Sequence, residues 1–295
     1  MYNTIKLNKK YWQSILPKLR YGVPDPLDVH SADQHKFSEA MKVFNFRGVY
    51  KTTGSGRLRQ TQLFLKDHIA ALNEPVSILD IGASDGSTSL DLINLLNGSF
   101  KKYYVTDYNI RCNYISYKGY TYFFNPQNEC ILAASRKFVI YPERKWLFGF
   151  LFNAKLAKIK GLPRTGLLLI NRNLQEKQQE NERIVIMPYN VFEPWALEKV
   201  NIVVAGNLLN RAYFTDGQIE TALGNCYHAL AENGLLAIIR NKLTPNGEEI
   251  EKSCVYQKQS NPAGFKKIHQ VNEGVEIDAL VLSLNYCNST NQGRE

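Results

Sequence analysis

The stretch Val76-Ser-Ile-Leu-Asp-Ile81, followed by Gly82-Ala-Ser-Asp-Gly86, decides how this chain is read. Its first six residues are mostly aliphatic and β-branched, which predicts a short strand. The two glycines predict a tight turn, because glycine reaches positive φ without a Cβ clash. Thr88–Leu96 repeats apolar residues at helical spacing, and Tyr103-Tyr-Val-Thr-Asp107 predicts a second strand. Strand, glycine turn, helix, strand is the pattern of a parallel βαβ unit. Such a turn falls at the carboxyl edge of a parallel sheet, where α/β proteins bind nucleotide-like ligands. Asp107 ends the second strand, so its carboxylate is placed to accept hydrogen bonds from a ribose diol.

Downstream, Arg183–Met187, Val200–Ala205 and Gly234–Arg240 predict strands, and Asp216–Ala231 a helix. Gly264–Gln270 and Val275–Leu284 flank Asn272-Glu273-Gly274, which predicts a terminal hairpin. Upstream, residues 1–70 read as a basic, helical extension. Its helices are Tyr11–Leu19, Ser31–Phe44 (with Ser31 or Asp33 as N-cap) and Gln60–Leu72, the last ended by Glu74-Pro75. Residues 71–295 form the main domain. Within it, 108–182 interrupts the alternation with an aromatic hairpin (Tyr120–Phe124, Cys130–Ala134), an amphipathic stretch (Trp146–Lys160) and a polar run (Gln175–Arg183) read as a solvated loop or helix end. That block is too long for a simple connection and is expected to be an inserted cap.

The 295 residues are 44% hydrophobic and 21% charged, which excludes disorder or a fibrous repeat for the chain as a whole. Five cysteines, Cys112, Cys130, Cys226, Cys254 and Cys287, stand far apart without a C-x-x-C pair. That argues against a disulfide scaffold and a cysteine metal site, and predicts free thiols in a reducing cytoplasm. Met1–Arg20 lacks the apolar core of a secretory signal. The net charge of +9 favours an anionic partner.

The turn admits several chemistries. A dinucleotide fingerprint wants glycine where Ser84 and Ser87 stand, and Asp80 is an awkward neighbour for a pyrophosphate. Read as G-x-S-x-G, Gly82-Ala-Ser84-Asp-Gly86 is a nucleophile elbow, with Ser84 as nucleophile and His269 as base. A third reading rests on resemblance. Leu79-Asp80-Ile81-Gly82-Ala-Ser-Asp-Gly86 resembles the first motif of the class I S-adenosylmethionine-dependent methyltransferases, with Ser84 at the motif's middle glycine. Val200-Asn-Ile-Val-Val-Ala-Gly-Asn-Leu-Leu-Asn210 resembles that family's fourth strand and the segment after it. Glu232-Asn-Gly-Leu-Leu236 resembles the entry to its fifth strand.

The resemblance implies an α/β, Rossmann-like, doubly wound seven-stranded sheet whose last strand is antiparallel. It implies S-adenosyl-L-methionine as cofactor, held by Asp80, Gly82, Ala83, Ser84, Gly86, Asp107, Tyr108, Asn190, Val191, Gly206 and Asn207. Asn190 takes the position of the family's adenine-contacting Asp. The loop Thr53-Gly-Ser-Gly-Arg57 resembles a segment that folds over the cofactor, with Arg57 meeting a carboxylate. Methyl transfer from a sulfonium needs a protein base only when the acceptor must lose a proton. The catalytic candidates are therefore acceptor-side residues: Asn207, Asn210 and Tyr213, with Arg211, His228 and His269 behind them.

The acceptor is an unidentified small molecule, glycan, lipid-linked sugar or nucleic acid. Trp146–Lys160 suggests either a core or lid helix or peripheral membrane contact. No metal is expected: His30, Asp33 and His35 do not share a helix face. A non-catalytic cofactor-binding or nucleic-acid-binding module on the same fold is the alternative from another class.

Overall fold

The computed structural model describes residues 18–19, 25–31, 33–46, 49–51, 54–72, 74–135, 138–142, 149–244, 246 and 248–286. The chain divides into two compact units: residues 1–53 with 109–170, and residues 54–108 with 171–295. The expected boundary at residue 70 therefore moves to 53/54. The inserted block is 109–170, shorter than 108–182 at both ends, and it forms one unit with the amino-terminal segment.

In the first unit, β1 (Lys18–Leu19), α1 (Gln34–Met41), β2 (Asn45–Phe46) and β3 (Val49–Tyr50) come from the amino-terminal segment. Asp33 caps α1, its Oδ1 accepting from the N–H groups of His35 and Lys36. Lys18–Leu19 is strand, not the end of the helix expected over Tyr11–Leu19; residues 11–17 lie outside the described residues.

The insertion supplies β6 (Arg111–Tyr117), β7 (Tyr120–Phe124), β8 (Cys130–Ser135), β9 (Phe138–Ile140), α4 (Gly149–Ile159) and β10 (Thr165–Leu168). They form a six-stranded antiparallel sheet in the order β1-β9-β8-β7-β6-β10. Lys118 and Gly119, both at positive φ, close the β6–β7 hairpin. Side chains alternate across this sheet. Phe123, Leu132 and Ala134 meet α1 on one face, and Tyr122, Phe124 and Ala133 meet Phe152 and Ile159 of α4 on the other.

The second unit contains α2 (Arg59–Leu72), β4 (Ser77–Ile81), α3 (Ser87–Leu96), β5 (Lys102–Thr106), α5 (Arg172–Glu180), β11 (Ile184–Met187), β12 (Val200–Gly206), α6 (Asp216–Ala229), β13 (Leu230–Leu243), β14 (Glu249–Ser260), β15 (Ala263–Val271) and α7 (Asp278–Ser283). Its sheet has seven strands in the order β11-β5-β4-β12-β13-β14-β15. The first five are parallel; β14 pairs antiparallel with β13, and β15 antiparallel with β14. One face buries Leu79, Ile81, Val203 and Ala205 against Ile219 and Leu223 of α6 and Val281 of α7. On the other, Asp80 of β4 bonds Ser89 of α3, and α2 packs on α3 and β14. Helices on both faces and a strand order that reverses at β4 make this the doubly wound fold class that the resemblance implies.

The terminal hairpin lies one strand earlier than expected. β14 and β15 are joined at Asn261-Pro262, while Val275–Leu284 is a turn followed by α7. There the two-residue alternation is broken. Ala279 is exposed, and Ile277 and Val281 are buried at helical spacing. Gln175–Arg183 likewise contains most of α5, capped by Asn171 Oδ1 on the Asn173 N–H.

Candidate functional site

Strands β11, β5, β4 and β12 are adjacent and parallel, so their carboxyl ends lie along one edge of the sheet. That edge collects Asn190 after β11, Asp107 after β5, the turn Gly82–Gly86 after β4, and Gly206 with Asn207 at the end of β12. The order reverses between β4 and β12, which is the switch point at which open α/β sheets bind ligands.

The turn is held at both ends. The Ala83 N–H donates to the Thr106 carbonyl (2.9 Å), and the Gly86 N–H donates to the Ala83 carbonyl (2.8 Å). Gly82, Ser84 and Gly86 all have positive φ, at 67°, 60° and 78°. The Ser84 N–H donates to Asp107 Oδ2 at 3.0 Å, so the turn itself orients the carboxylate at the end of the neighbouring strand. Asp85 starts α3: Oδ1 accepts from the Ser87 N–H (3.0 Å) and Oδ2 from the Ser87 hydroxyl (2.8 Å).

The glycines serve packing. A Cβ on Gly82 would stand 2.8 Å from the Leu208 side chain, and one on Gly86 would stand 2.2 Å from Leu174 of α5. The space beside Gly82 is filled by Leu208, which follows β12. Gly86 is pressed chiefly by Leu174, with Val105 of the sheet behind it at 3.5 Å.

Asp80 lies beneath the turn, not in it. It is buried, and its Oδ2 accepts from the Ser89 hydroxyl (2.7 Å) and the Tyr103 hydroxyl (3.3 Å). Burial pushes its pKa up to about 7, against the two hydrogen bonds that lower it, with the Asp107 charge adding to the rise. Tyr103 rises with it, through burial and the same carboxylate. Asp80 thus supports the turn from below. Ala83 is buried, and Tyr108, 53% exposed, follows Asp107.

Asn190 sits in a turn of its own making. Its Oδ1 accepts from the Phe192 N–H (3.1 Å) and its Nδ2 donates to Glu193. An amide oxygen has two lone pairs, so one remains compatible with an adenine amine. Val191 is buried in the core, with its carbonyl bonded to Asn225.

Asn207 (φ 57°) accepts from the Asn241 N–H at 2.7 Å and donates back to the Asn241 side chain. Asn210 is buried. Its Nδ2 donates to the carbonyls of Asn207 and Leu208, and its Oδ1 accepts from the Ala212 N–H. Both asparagines build the loop after β12, and the three bonds of Asn210 all go to backbone. Arg211 is paired with Asp216 through two nitrogens, and Glu276 accepts from its N–H. The Tyr213 hydroxyl, by contrast, has no hydrogen bond among the described residues.

The loop before α2 is anchored to the same edge. The Gly56 N–H donates to Asp91 of α3 (2.7 Å), Arg57 Nε to Glu249 (2.7 Å), and Asn241 Nδ2 to the Arg57 carbonyl (2.9 Å). Burial raises the Asp91 pKa, opposed by that Gly56 bond. Leu58 lies 3.1 Å from the place of a Cβ on Gly206. Asn241 therefore joins this loop to Asn207. Nothing in its sequence context marked it, because its role comes from the pairing of β13 with β14 far along the chain.

The hydrolase arrangement is not assembled. His269 is on β15, four strands from β4 and so about 19 Å away at ordinary strand spacing, and its ring stacks on Phe64 of α2 at 4.0 Å. His228 is in α6, its ring 5.6 Å from that of Tyr227. Among the described residues no group of three or more His, Cys, Asp or Glu could hold a metal ion, and no helix is long and apolar enough to cross a membrane. Cys112, Cys130, Cys226 and Cys254 are free thiols, all shifted up by burial; Cys287 lies outside the described residues.

No family model and no curated protein matches the chain. Solved structures do. The N-methyltransferase NodS from Bradyrhizobium japonicum WM9, in complex with S-adenosyl-L-homocysteine, aligns over 67% of this chain and 68% of its own, with 12% identity and a TM-score of 0.35. The CMeT domain of the citrinin polyketide synthase aligns over 74% of this chain and 42% of its own (15% identity, TM-score 0.36). The cyclase SpnF aligns over 63% and 47% (12% identity, TM-score 0.29). Similarity at this level assigns neither an activity nor the role of any residue.

Proposed function

We propose that the chain binds S-adenosylmethionine at the carboxyl edge of β4, β5 and β11 and transfers its methyl group to an acceptor. The observation that carries this reading is the Asp107 carboxylate at the switch point, oriented by the Ser84 N–H. A carboxylate offers about four acceptor positions, so the Ser84 bond is compatible with a ribose diol. A dinucleotide would need the turn's amides for its pyrophosphate. Here the amides of Ala83, Ser84 and Gly86 are bonded to the protein itself.

In this reading Asp107 holds the ribose, Tyr108 flanks the adenosine, and Asn190 meets the base. Gly206 and Asn207 lie toward the sulfonium, and Arg57 toward the amino-acid carboxylate. Asp80, Gly82, Ser84 and Gly86 shape the turn. Bound S-adenosylmethionine supplies an activated methyl group, so the chain's own task is chiefly to orient and to exclude water. Tyr213 is the side chain suited to accept or relay a proton from the acceptor, since Asn207 and Asn210 are committed to the loop. The free thiols, of which Cys112, Cys226 and Cys254 are buried, suit a reducing cytoplasm.

Calorimetric titration of the full chain with S-adenosylmethionine, S-adenosylhomocysteine and NAD tests the reading. Saturable binding of the first two and none of NAD is the expected result. Binding of NAD alone, or of none of the three, overturns it. Methyl transfer from labelled S-adenosylmethionine to any member of an acceptor panel separates an enzyme from a non-catalytic module.

A further inference from the structure

Charge is segregated between the two units. The first unit holds 19 Lys and Arg against 6 Asp and Glu, and the second 17 against 21. A net charge of +9 therefore hides a strongly basic unit beside a mildly acidic one.

Within the first unit the signs separate again. Asp25, Asp28, Asp33 and Glu39 lie on or beside α1 and the short helical turn before it, which packs on one face of the sheet. The opposite face carries α4. There Lys155 Nζ lies 4.5 Å from the centre of the Tyr120 ring, Lys118 Nζ 5.5 Å from that of Tyr117, and the Arg164 guanidinium 3.5 Å from that of Phe124. Lys158 and Lys160 are exposed at the end of α4, and Tyr117 and Tyr120 are half-buried. Among the insertion's described residues the one acid, Glu129, is bonded to Asn125 in the β7–β8 turn.

We propose that this α4 face binds single-stranded nucleic acid, the cations taking phosphates and Tyr117 and Tyr120 offering rings to bases. Aromatics interleaved with cations on a sheet are the means by which single strands are held without sequence preference. An anionic membrane is the weaker match. Of the apolar residues of α4, Phe152 and Ile159 are buried in the unit's own core and are not presented to lipid.

The test is fluorescence anisotropy of the full chain with a labelled 16-mer oligouridylate, beside sedimentation with phosphatidylserine vesicles. It needs no S-adenosylmethionine, so it stands or falls apart from the methyltransferase reading. Neutralising five phosphates gives a log–log salt slope of about −3.5 for a single strand. Lys155→Glu with Lys158→Glu, at exposed helix positions that keep the wild-type thermal midpoint, is expected to weaken binding at least about tenfold. Tyr117→Leu, which preserves apolar packing, is expected to weaken it about fivefold with the salt slope unchanged. No binding to the oligonucleotide, vesicle binding without oligonucleotide binding, or indifference to both variants overturns the proposal.

Discussion

The carboxyl edge of the second unit and the α4 face of the first place their charges in opposite ways. At the edge, each carboxylate has an assigned donor: Asp80 the hydroxyls of Ser89 and Tyr103, Asp85 Ser87, Asp91 the Gly56 N–H, and Asp107 the Ser84 N–H. On the α4 face, Lys118, Lys155 and Arg164 rest over rings, and Lys158 and Lys160 stand exposed. The first arrangement is made by topology, which sets a few groups where strand ends converge. The second is made by composition, which spreads like charges over a surface. Single substitutions should therefore act strongly at the edge and weakly on the face.

Gly86→Val is the most severe way to test that contrast. It places a branched side chain at φ 78° and against Leu174. A cost of about 3 kcal/mol is expected, read as a lowered denaturation midpoint. Glu251→Ala comes next. Buried Glu251 accepts from the N–H groups of Gln60 and Thr61 at the start of α2 and from the Thr61 hydroxyl. Its loss leaves the two N–H groups unpaired, while the Thr61 hydroxyl keeps Ser253, and should destabilise by about 2–3 kcal/mol in urea titration. Asp107→Ala should leave the denaturation midpoint near wild type and weaken S-adenosylhomocysteine binding at least tenfold, or about 1.5–3 kcal/mol. Unchanged affinity would detach the edge from the cofactor.

Asp80 gives a pH signature that the α4 face lacks. Its pKa in the folded chain is raised to about 7, above that of an unfolded Asp, because burial disfavours the charge. The neutral acid is the form that the fold prefers. Its contribution is fully present below the unfolded pKa near 4 and is lost as pH rises through about 7. Stability should fall over that window, with a slope of at most about 1.4 kcal/mol per pH unit from this group. Asp80→Asn should flatten the slope in urea titrations from pH 4 to pH 8. The smallest effect belongs to the surface: Lys118→Ala alone should change stability by less than about 0.5 kcal/mol.

Local chemistry made the parallel half of the second unit legible in sequence. Val76–Ile81, Gly82, Gly86 and Tyr103–Asp107 carry strand, turn and strand signals within a few residues of one another. What escaped depended on distant partners. β14 reads as polar because Glu251, Ser253 and Lys258 are buried there. Glu251 caps α2, and Lys258 Nζ donates to the Leu230 carbonyl at 2.9 Å. Leu208 and Leu174, which fill the notches at Gly82 and Gly86, come from segments more than eighty residues away in sequence. Asn241 holds Asn207 and the Arg57 loop through strand pairing alone. In the first unit, the aromatic alternation of Tyr120–Phe124 and its turn were readable. The union of the insertion with residues 1–53 was not, since no local signal joins segments separated by the first βαβ unit.

The most direct measurement is a crystal structure of the chain grown with S-adenosylhomocysteine. The expected result is a ribose whose two hydroxyls lie within hydrogen-bonding reach of the Asp107 carboxylate, about 2.5–3.0 Å, with the base toward Asn190. A ligand bound elsewhere on the chain, or a ribose turned away from Asp107, would contradict the account.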